Sequence, residues 1–68
     1  MFRNNHFKED LFRMRNQKIL SRRQVAKQSG VHCSTIQGIE NNLYSPRIDT
    51  FLKLCKWMEV SPFKYFEL

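Results

Sequence analysis

The chain has 68 residues, with 12 Lys or Arg against 6 Asp or Glu, so its formal net charge is +6. This length predicts one small domain, and 2 cysteines are too few for a disulfide framework. No stretch has the roughly 20 apolar residues of a transmembrane helix, and the start of the chain lacks the apolar run of a signal peptide. The expected location is therefore the cytoplasm.

Basic residues are concentrated in the first 27 positions, which hold eight of the twelve and only two acidic residues. A one-sided positive field attracts polyanions, and DNA is the commonest one in the cytoplasm. A solvated basic surface that only keeps a small protein dissolved has the same composition. The charge distribution favours a nucleic-acid partner and leaves the second interpretation open.

The first predicted helix runs from Phe7 to about Gln17. Its apolar residues Phe7, Leu11 and Met14 share one helical face. Residues 1–6 precede this pattern, and we expect them to form a flexible arm at the start of a single domain that covers residues 1–68.

Two short helices are predicted next, over Arg22–Ser29 and from about Cys33 to Asn41. Ser21 is a good N-cap for the second helix, and Gly30 suits the left-handed conformation that often ends a helix. The apolar residues expected to hold the third helix against the core are Ile36 and Ile39.

A fourth helix is predicted from about Ile48 to Glu59, and a short fifth helix after Ser61-Pro62, where Ser caps and Pro takes the first helical position. The expected core stripe of the fourth helix follows helical spacing: Ile48, Phe51, Leu52, Cys55 and Met58. Leu54 and Trp57 fall outside that stripe. The fold prediction is an all-α, compact five-helix bundle without a strand.

The segment from Leu20 to Glu40 resembles the helix-turn-helix of the phage repressor and Cro-like family of DNA-binding domains. The matching residues inside it are Leu20-Ser21, Val25-Ala26, Gly30-Val31, Ser34-Thr35-Ile36 and Ile39-Glu40-Asn41. The matching residues outside it are Leu11, Met14, Arg15, Ser45-Pro46, Leu52, Leu54 and Val60-Ser61. The resemblance implies a lambda-repressor-like bundle in which the third helix, 33–41, enters the major groove.

The resemblance also implies which residues contact DNA. The positions that face base edges are Cys33, Ser34, Gln37, Gly38 and Arg22. The positions that face phosphates are Arg22, Arg23, Lys18, Asn41 and Asn42. Charge would secure the backbone while short neutral groups read bases, and only Gln37 carries an amide able to form two hydrogen bonds with adenine. Modest specificity per half-site is expected, with a large share from DNA shape, phosphate contacts and dimer spacing.

By the same resemblance, Arg15 and Glu40 form a partly buried salt bridge between the first and third helices, which fixes their orientation. Two exposed charges are the alternative. The aromatic residues Trp57, Phe63 and Phe66 are expected at a dimer interface, because aromatics are enriched at interface cores and the related domains bind two-fold operators. Alternatively, they wrap the core of a small domain.

Two function classes follow from these features. The first is a transcriptional regulator from a phage or other mobile element, which binds an operator in double-stranded DNA as a weak homodimer or as a dimer that forms on DNA. The second is a protein-interaction module of the antitoxin or anti-repressor type, which the nearly neutral third helix favours. We expect no enzyme activity, since the sequence lacks a catalytic Ser/His/Asp set, paired carboxylates and a Gly-rich phosphate loop. No cofactor or metal is predicted.

Overall fold

The computed structural model describes residues 4–43 and 45–66, which contain four α-helices, one 3-10 turn and no β-strand. The helices are α1 (Asn4–Gln17), α2 (Arg22–Ser29), α3 (Cys33–Glu40) and α4 (Ile48–Met58), and the C-terminal turn is Pro62–Tyr65. The all-α class is confirmed. The predicted fifth helix is only this 3-10 turn, so the count of five α-helices is wrong.

The start of α1 also differs from the prediction. Because α1 begins at Asn4, residues 4–6 form its first turn instead of an arm, and residues 1–3 lie outside the described residues. Its end is set by Ile19, which adopts the left-handed conformation with φ 54°. The Leu20 N–H then donates to the Arg15 carbonyl at 3.0 Å, which closes the turn toward α2.

The bounds of α2 follow from local chemistry, as predicted. The Gln24 N–H donates to the Ser21 hydroxyl at 3.2 Å, and the Ser21 N–H donates to Oε1 of Gln24 at 2.7 Å. This reciprocal capping box satisfies two N–H groups at the start of the helix. At the other end Gly30 has φ 81° and donates to the Ala26 carbonyl at 2.9 Å. A glycine adopts that backbone conformation without steric cost.

The core lies between the four helices and the C-terminal turn. Its fully buried aromatic residues are Phe7, Phe51 and Tyr65, whose rings meet edge to face at centroid distances of 5.0 to 6.0 Å. Such pairs add stability beyond the area they bury. The other buried apolar residues are Leu11, Val25, Val31, Ile36, Ile39, Leu54, Cys55 and Met58.

The face of α4 that packs on the core is displaced from the predicted stripe. Leu54 is fully buried, whereas Leu52 is exposed and Ile48 is 66 % exposed. The observed stripe is Phe51, Leu54, Cys55 and Met58. These four residues follow the same i, i+3, i+4, i+7 spacing as the predicted set, so periodicity alone does not choose between the two faces.

In the parts of the chain that are described, no helix is long and apolar enough to cross a membrane.

Candidate nucleic-acid interface

The connection between α2 and α3 fixes the direction in which α3 faces. α3 packs against both α1 and α2, and the side chains of Val25, Val31, Ile36 and Ile39 that hold it are buried. Because close-packed side chains leave little room for rotation, the opposite face of α3 projects outward at a fixed angle.

The outward face of α3 carries short polar groups near its N-terminal end. Ser34 and Gln37 are exposed and Cys33 is half-buried. The His32 ring Nδ1 accepts from the Ser34 N–H at 3.2 Å and lies 2.8 Å from the Ser34 hydroxyl. His32 therefore caps the helix in place of the more common Ser or Thr.

Gly38 does not occupy the exposed position that was predicted for it. Its backbone is buried within α3, and its carbonyl accepts from the Leu43 N–H at 2.9 Å. In the free protein Gly38 therefore presents neither a side chain nor exposed backbone on the outer face of α3. A base contact by Gly38 stays a prediction, and the side chains that α3 presents on its outer face are exposed Ser34 and Gln37 with half-buried Cys33.

Behind this face lies an ion-pair triad, defined as Arg15, Arg22 and Glu40. The Glu40 side chain is 1 % exposed. Arg15 donates to both of its carboxylate oxygens, through Nε at 2.8 Å and Nη2 at 3.1 Å, and its Nη1 donates to the Leu20 carbonyl at 3.0 Å. Arg22 donates through Nε to Oε1 of Glu40 at 2.8 Å. The structure thus ties α1, α2 and α3 together at one carboxylate.

A surface groove joins the start of α2 to α3. Its lining includes Arg22, Arg23, Cys33 and Gln37, so the structure brings together residues that were predicted separately as phosphate and base contacts. Arg23 is exposed, and the Arg22 side chain is 37 % exposed. Arg15 also lines the groove, which therefore combines arginine side chains with the uncharged Cys33 and Gln37.

The remaining predicted phosphate contacts lie outside this groove. Asn41 and Asn42 are exposed after α3, where Asn42 adopts φ 59°, and Nδ2 of Asn4 approaches Oδ1 of Asn42 at 3.5 Å. The Lys18 ammonium lies 5.4 Å from the Trp57 ring centroid, an arrangement typical of a cation–π contact. The structure therefore brings Lys18 to α4 and not to the groove.

The predicted aromatic dimer residues do not form one surface. Trp57 is half-buried and its Nε1 donates to Oε1 of Gln28 at 2.8 Å. Phe63 is 82 % exposed, and Phe66 is partly exposed with its ring edge to face with Phe51. Trp57 lies nine residues after Ile48, and with about 3.6 residues per turn this places the two on opposite sides of α4.

Sequence reasoning missed an exposed apolar surface beside Phe66. The Ile48 and Phe66 side chains line one shallow groove with Pro46, and Leu52 follows one helical turn after Ile48. We call Pro46, Ile48, Leu52 and Phe66 the apolar patch. Its signal was present in the sequence as the first and third residues of the stripe that was assigned to the core.

A second missed cluster surrounds Asp10, which is nearly buried on the apolar face of α1. The Tyr65 hydroxyl donates to Oδ2 at 2.7 Å, the Lys64 ammonium lies 3.1 Å from the same oxygen, and Arg13 donates to Oδ1 at 2.7 Å. Burial raises the pKa of Asp10, but the hydrogen bonds from Tyr65 and Lys64, together with the positive charges, outweigh it and lower the pKa below 3.8. The position of Asp10, three residues after Phe7, was the available signal.

The cysteines differ in their surroundings, and both are free thiols. Cys55 is buried on the core face of α4, where burial raises its pKa to about 11. A thiol with so high a pKa is almost entirely protonated at neutral pH and behaves as a small apolar residue.

Four packed helices with a rigidly mounted α3 define a helix-turn-helix domain. A family model described as helix-turn-helix matches residues 11–64, most of the chain. The chain belongs to that family, of the Cro and repressor-like type, whose members are DNA-binding regulators. No curated protein and no solved structure gives a significant match.

Proposed function

We propose that this protein is a sequence-specific transcriptional regulator that binds double-stranded DNA with α3 in the major groove. The observation that carries the proposal is the mounting of α3: Ile36 and Ile39 hold its back, Glu40 ties it to α1 and α2, and Ser34 and Gln37 face outward. A helix held in this way fits a groove about 12 Å wide, while the helix before it lies across the phosphate backbone.

The side chains around α3 divide into two roles under this proposal. Cys33, Ser34 and Gln37 face base edges, and Arg23, Asn41 and Asn42 face phosphates on either side of the groove. Lys18 contributes to the positive field from the end of α1 without a place in the groove. Such a division, with charge on the backbone and neutral groups on the bases, is the usual one in protein–DNA interfaces.

We further propose that two copies bind one operator. The longest extent of the domain is 33 Å, whereas the recognition helices of a two-fold dimer lie about 34 Å apart on DNA. One copy therefore covers a single half-site. The apolar patch, together with exposed Phe63 three residues before Phe66, supplies the surface between copies. Trp57 is left out because it donates to Gln28 and lies on the opposite side of α4 from Ile48.

The proposal places the protein in the cytoplasm as a repressor, and the similarity to phage repressors favours a phage or other mobile element as its source. The alternative of a protein-interaction module, of the antitoxin or anti-repressor type, is supported by one observation. Exposed apolar side chains at Ile48, Leu52 and Phe66 are a surface that another protein covers as readily as a second copy does.

A salt titration with random duplex DNA tests DNA binding. Phosphate contacts release counterions, so log affinity should fall linearly with log salt at about 0.9 per contact. The Arg23→Ala variant should lower this slope by about 0.9.

Lys56→Ala is the matched control, because it removes the same charge from α4, where Lys56 lies beside Trp57 and Gln28. It should leave the slope unchanged. No binding at low salt, or equal effects of the two variants, would favour the protein-interaction module.

A further inference from the structure

Glu40 holds Arg22 in a way that a solvated surface arginine is not held. The carboxylate is 1 % exposed, and Arg15 fixes it through two bonds from α1. Arg22 then reaches that fixed carboxylate with Nε alone, at 2.8 Å. The base of the Arg22 guanidinium is therefore anchored, and the loss of side-chain freedom on binding a ligand is smaller than for a free arginine.

The anchored geometry leaves the far end of Arg22 available. A guanidinium has five N–H donors, and the two Nη groups of Arg22 make no hydrogen bond within the described residues. These two groups form the end-on fork that matches N7 and O6 of guanine in the major groove. Arg22 also lines the same groove as Cys33 and Gln37 on α3, which places the fork beside the base-facing side.

The ion pair with Glu40 makes a base a better ligand for Arg22 than a phosphate. A phosphate contact depends mainly on net positive charge, and the Glu40 carboxylate, which Arg15 and Arg22 share, offsets part of that charge. The acceptors of guanine are neutral, so a guanine contact depends on the direction of the N–H bonds, which Glu40 fixes. Arg23, the next residue, is exposed and has no ion pair with a described residue, so it is the better phosphate contact.

We propose that Arg22 reads a guanine at the edge of each half-site and that Glu40 is the positioning residue that aims it. This rests on the proposed function and adds the specificity-determining residue to it. Arg22 would supply much of the base specificity, because a two-bond arginine–guanine contact distinguishes bases more strongly than the short side chains of Cys33 or Ser34 on α3 do.

The test begins with selection of binding sequences from a random duplex pool by the wild-type protein. A G·C pair is expected at one fixed position of each half-site, and replacing it should weaken binding roughly 5- to 150-fold. Arg22→Lys keeps the charge but lacks the fork, so it should lose this preference while the salt slope stays as in the wild type. Arg23→Lys is the matched control and should retain the preference.

Glu40→Gln separates positioning from a merely structural role. It should relax the preference at the same base pair while affinity for random duplex stays equal or rises, because a negative charge has been removed. Circular dichroism establishes that the variant is folded at the working temperature. If it is not, Arg22→Lys, which leaves Glu40 intact, still tests the guanine contact itself.

Several outcomes would overturn the inference. One is a preference that survives Arg22→Lys, and another is a wild-type protein that binds duplex DNA without preferring guanine at any position. A parallel loss of specific and random-duplex affinity in folded Glu40→Gln would also overturn the positioning role. Failure of the wild type to bind random duplex at low salt is a separate result, since it removes the proposed function itself.

Discussion

At the scale of single residues, the two arginines of the ion-pair triad differ in burial and in the number of hydrogen bonds that they donate. Arg15 is nearly buried, bonds both oxygens of Glu40 and also satisfies the Leu20 carbonyl. Arg22 makes one bond from a position that is 37 % exposed. Removing one partner of a buried pair leaves an uncompensated charge, whereas an exposed partner is replaced by water.

We therefore expect Arg15→Ala to lower the free energy of unfolding by about 3 kcal/mol and Arg22→Ala to lower it by less than about 1 kcal/mol. Urea unfolding of the free protein, at one salt concentration, measures both. The reverse order, or equal losses, would contradict the assignment of structural work to Arg15 and of DNA reading to Arg22.

Asp10 makes the stability of the domain depend on pH, although the sequence analysis did not single this residue out. Its pKa is lowered in the folded protein, so its contribution to stability is complete above the unfolded pKa near 3.8 and is lost as pH falls through the folded pKa. Asp10→Asn should flatten the fall of stability below about pH 4. Asp49→Asn, an exposed change on α4, is the control.

Within the same cluster, Tyr65→Phe should cost about 1 kcal/mol at pH 7, because Asp10 loses one hydrogen bond and keeps Lys64 and Arg13. Unfolding free energies measured between pH 3 and pH 7 would check the two changes together. A steep acid transition that remains in Asp10→Asn would assign the pH dependence to other carboxylates.

At the scale of helices, the sequence was most informative where the determining chemistry is local. Ser21 and Gly30 determine where α2 begins and ends through hydrogen bonds to residues close by in the chain, and both ends were predicted. The core face of α4 was not predicted, because Phe51 begins one valid stripe and Ile48 another. Only packing against α1, α2 and the C-terminal turn chooses between them. Gly38 was expected to face the groove but is buried, for a related reason. The sequence pattern gives its angle around α3 but not how far neighbouring residues cover its backbone.

The C-terminal end of α4 offers a test of backbone conformation. Glu59 caps this helix with φ 59°, a conformation that costs an L-residue about 1–2 kcal/mol. Glu59→Gly should stabilise the domain by about 1 kcal/mol, the backbone relief being partly offset by the entropy of Gly in the unfolded chain. Glu59→Gln removes the same charge without relieving the backbone, so it isolates the contribution of the helix dipole.

The converse change at Gly30 completes this comparison. Its φ is 81°, and an added Cβ would meet nothing within 4 Å, so Gly30→Ala measures the backbone cost without a steric clash. A loss of about 1 kcal/mol is expected. Thermal unfolding monitored by circular dichroism suffices for all three variants, and a Glu59→Gly protein no more stable than Glu59→Gln would contradict the backbone argument.

At the scale of the whole molecule, the domain has two faces with different chemistry. The start of α2 and the outer side of α3 are cationic and polar, whereas the start of α4 and the chain after the C-terminal turn expose Ile48, Leu52 and Phe66. The family resemblance predicted the first face from motif residues. The second could not be predicted, because it depends on which stripe of α4 remains uncovered once the core is filled.

The double variant Ile48→Ser with Leu52→Ser tests whether the apolar patch joins two copies on DNA. Burial of one Ile side chain is worth about 1.5–3 kcal/mol, so affinity for a duplex with two half-sites should fall at least about tenfold. Affinity for a single half-site should stay within about twofold, because these residues lie away from the α2–α3 groove. Ile19→Ser is the matched control, since Ile19 is 88 % exposed outside the patch. Gel mobility shifts on both duplexes measure the effect, and an equal loss on each would mean that the patch supports the fold and not an interface between copies.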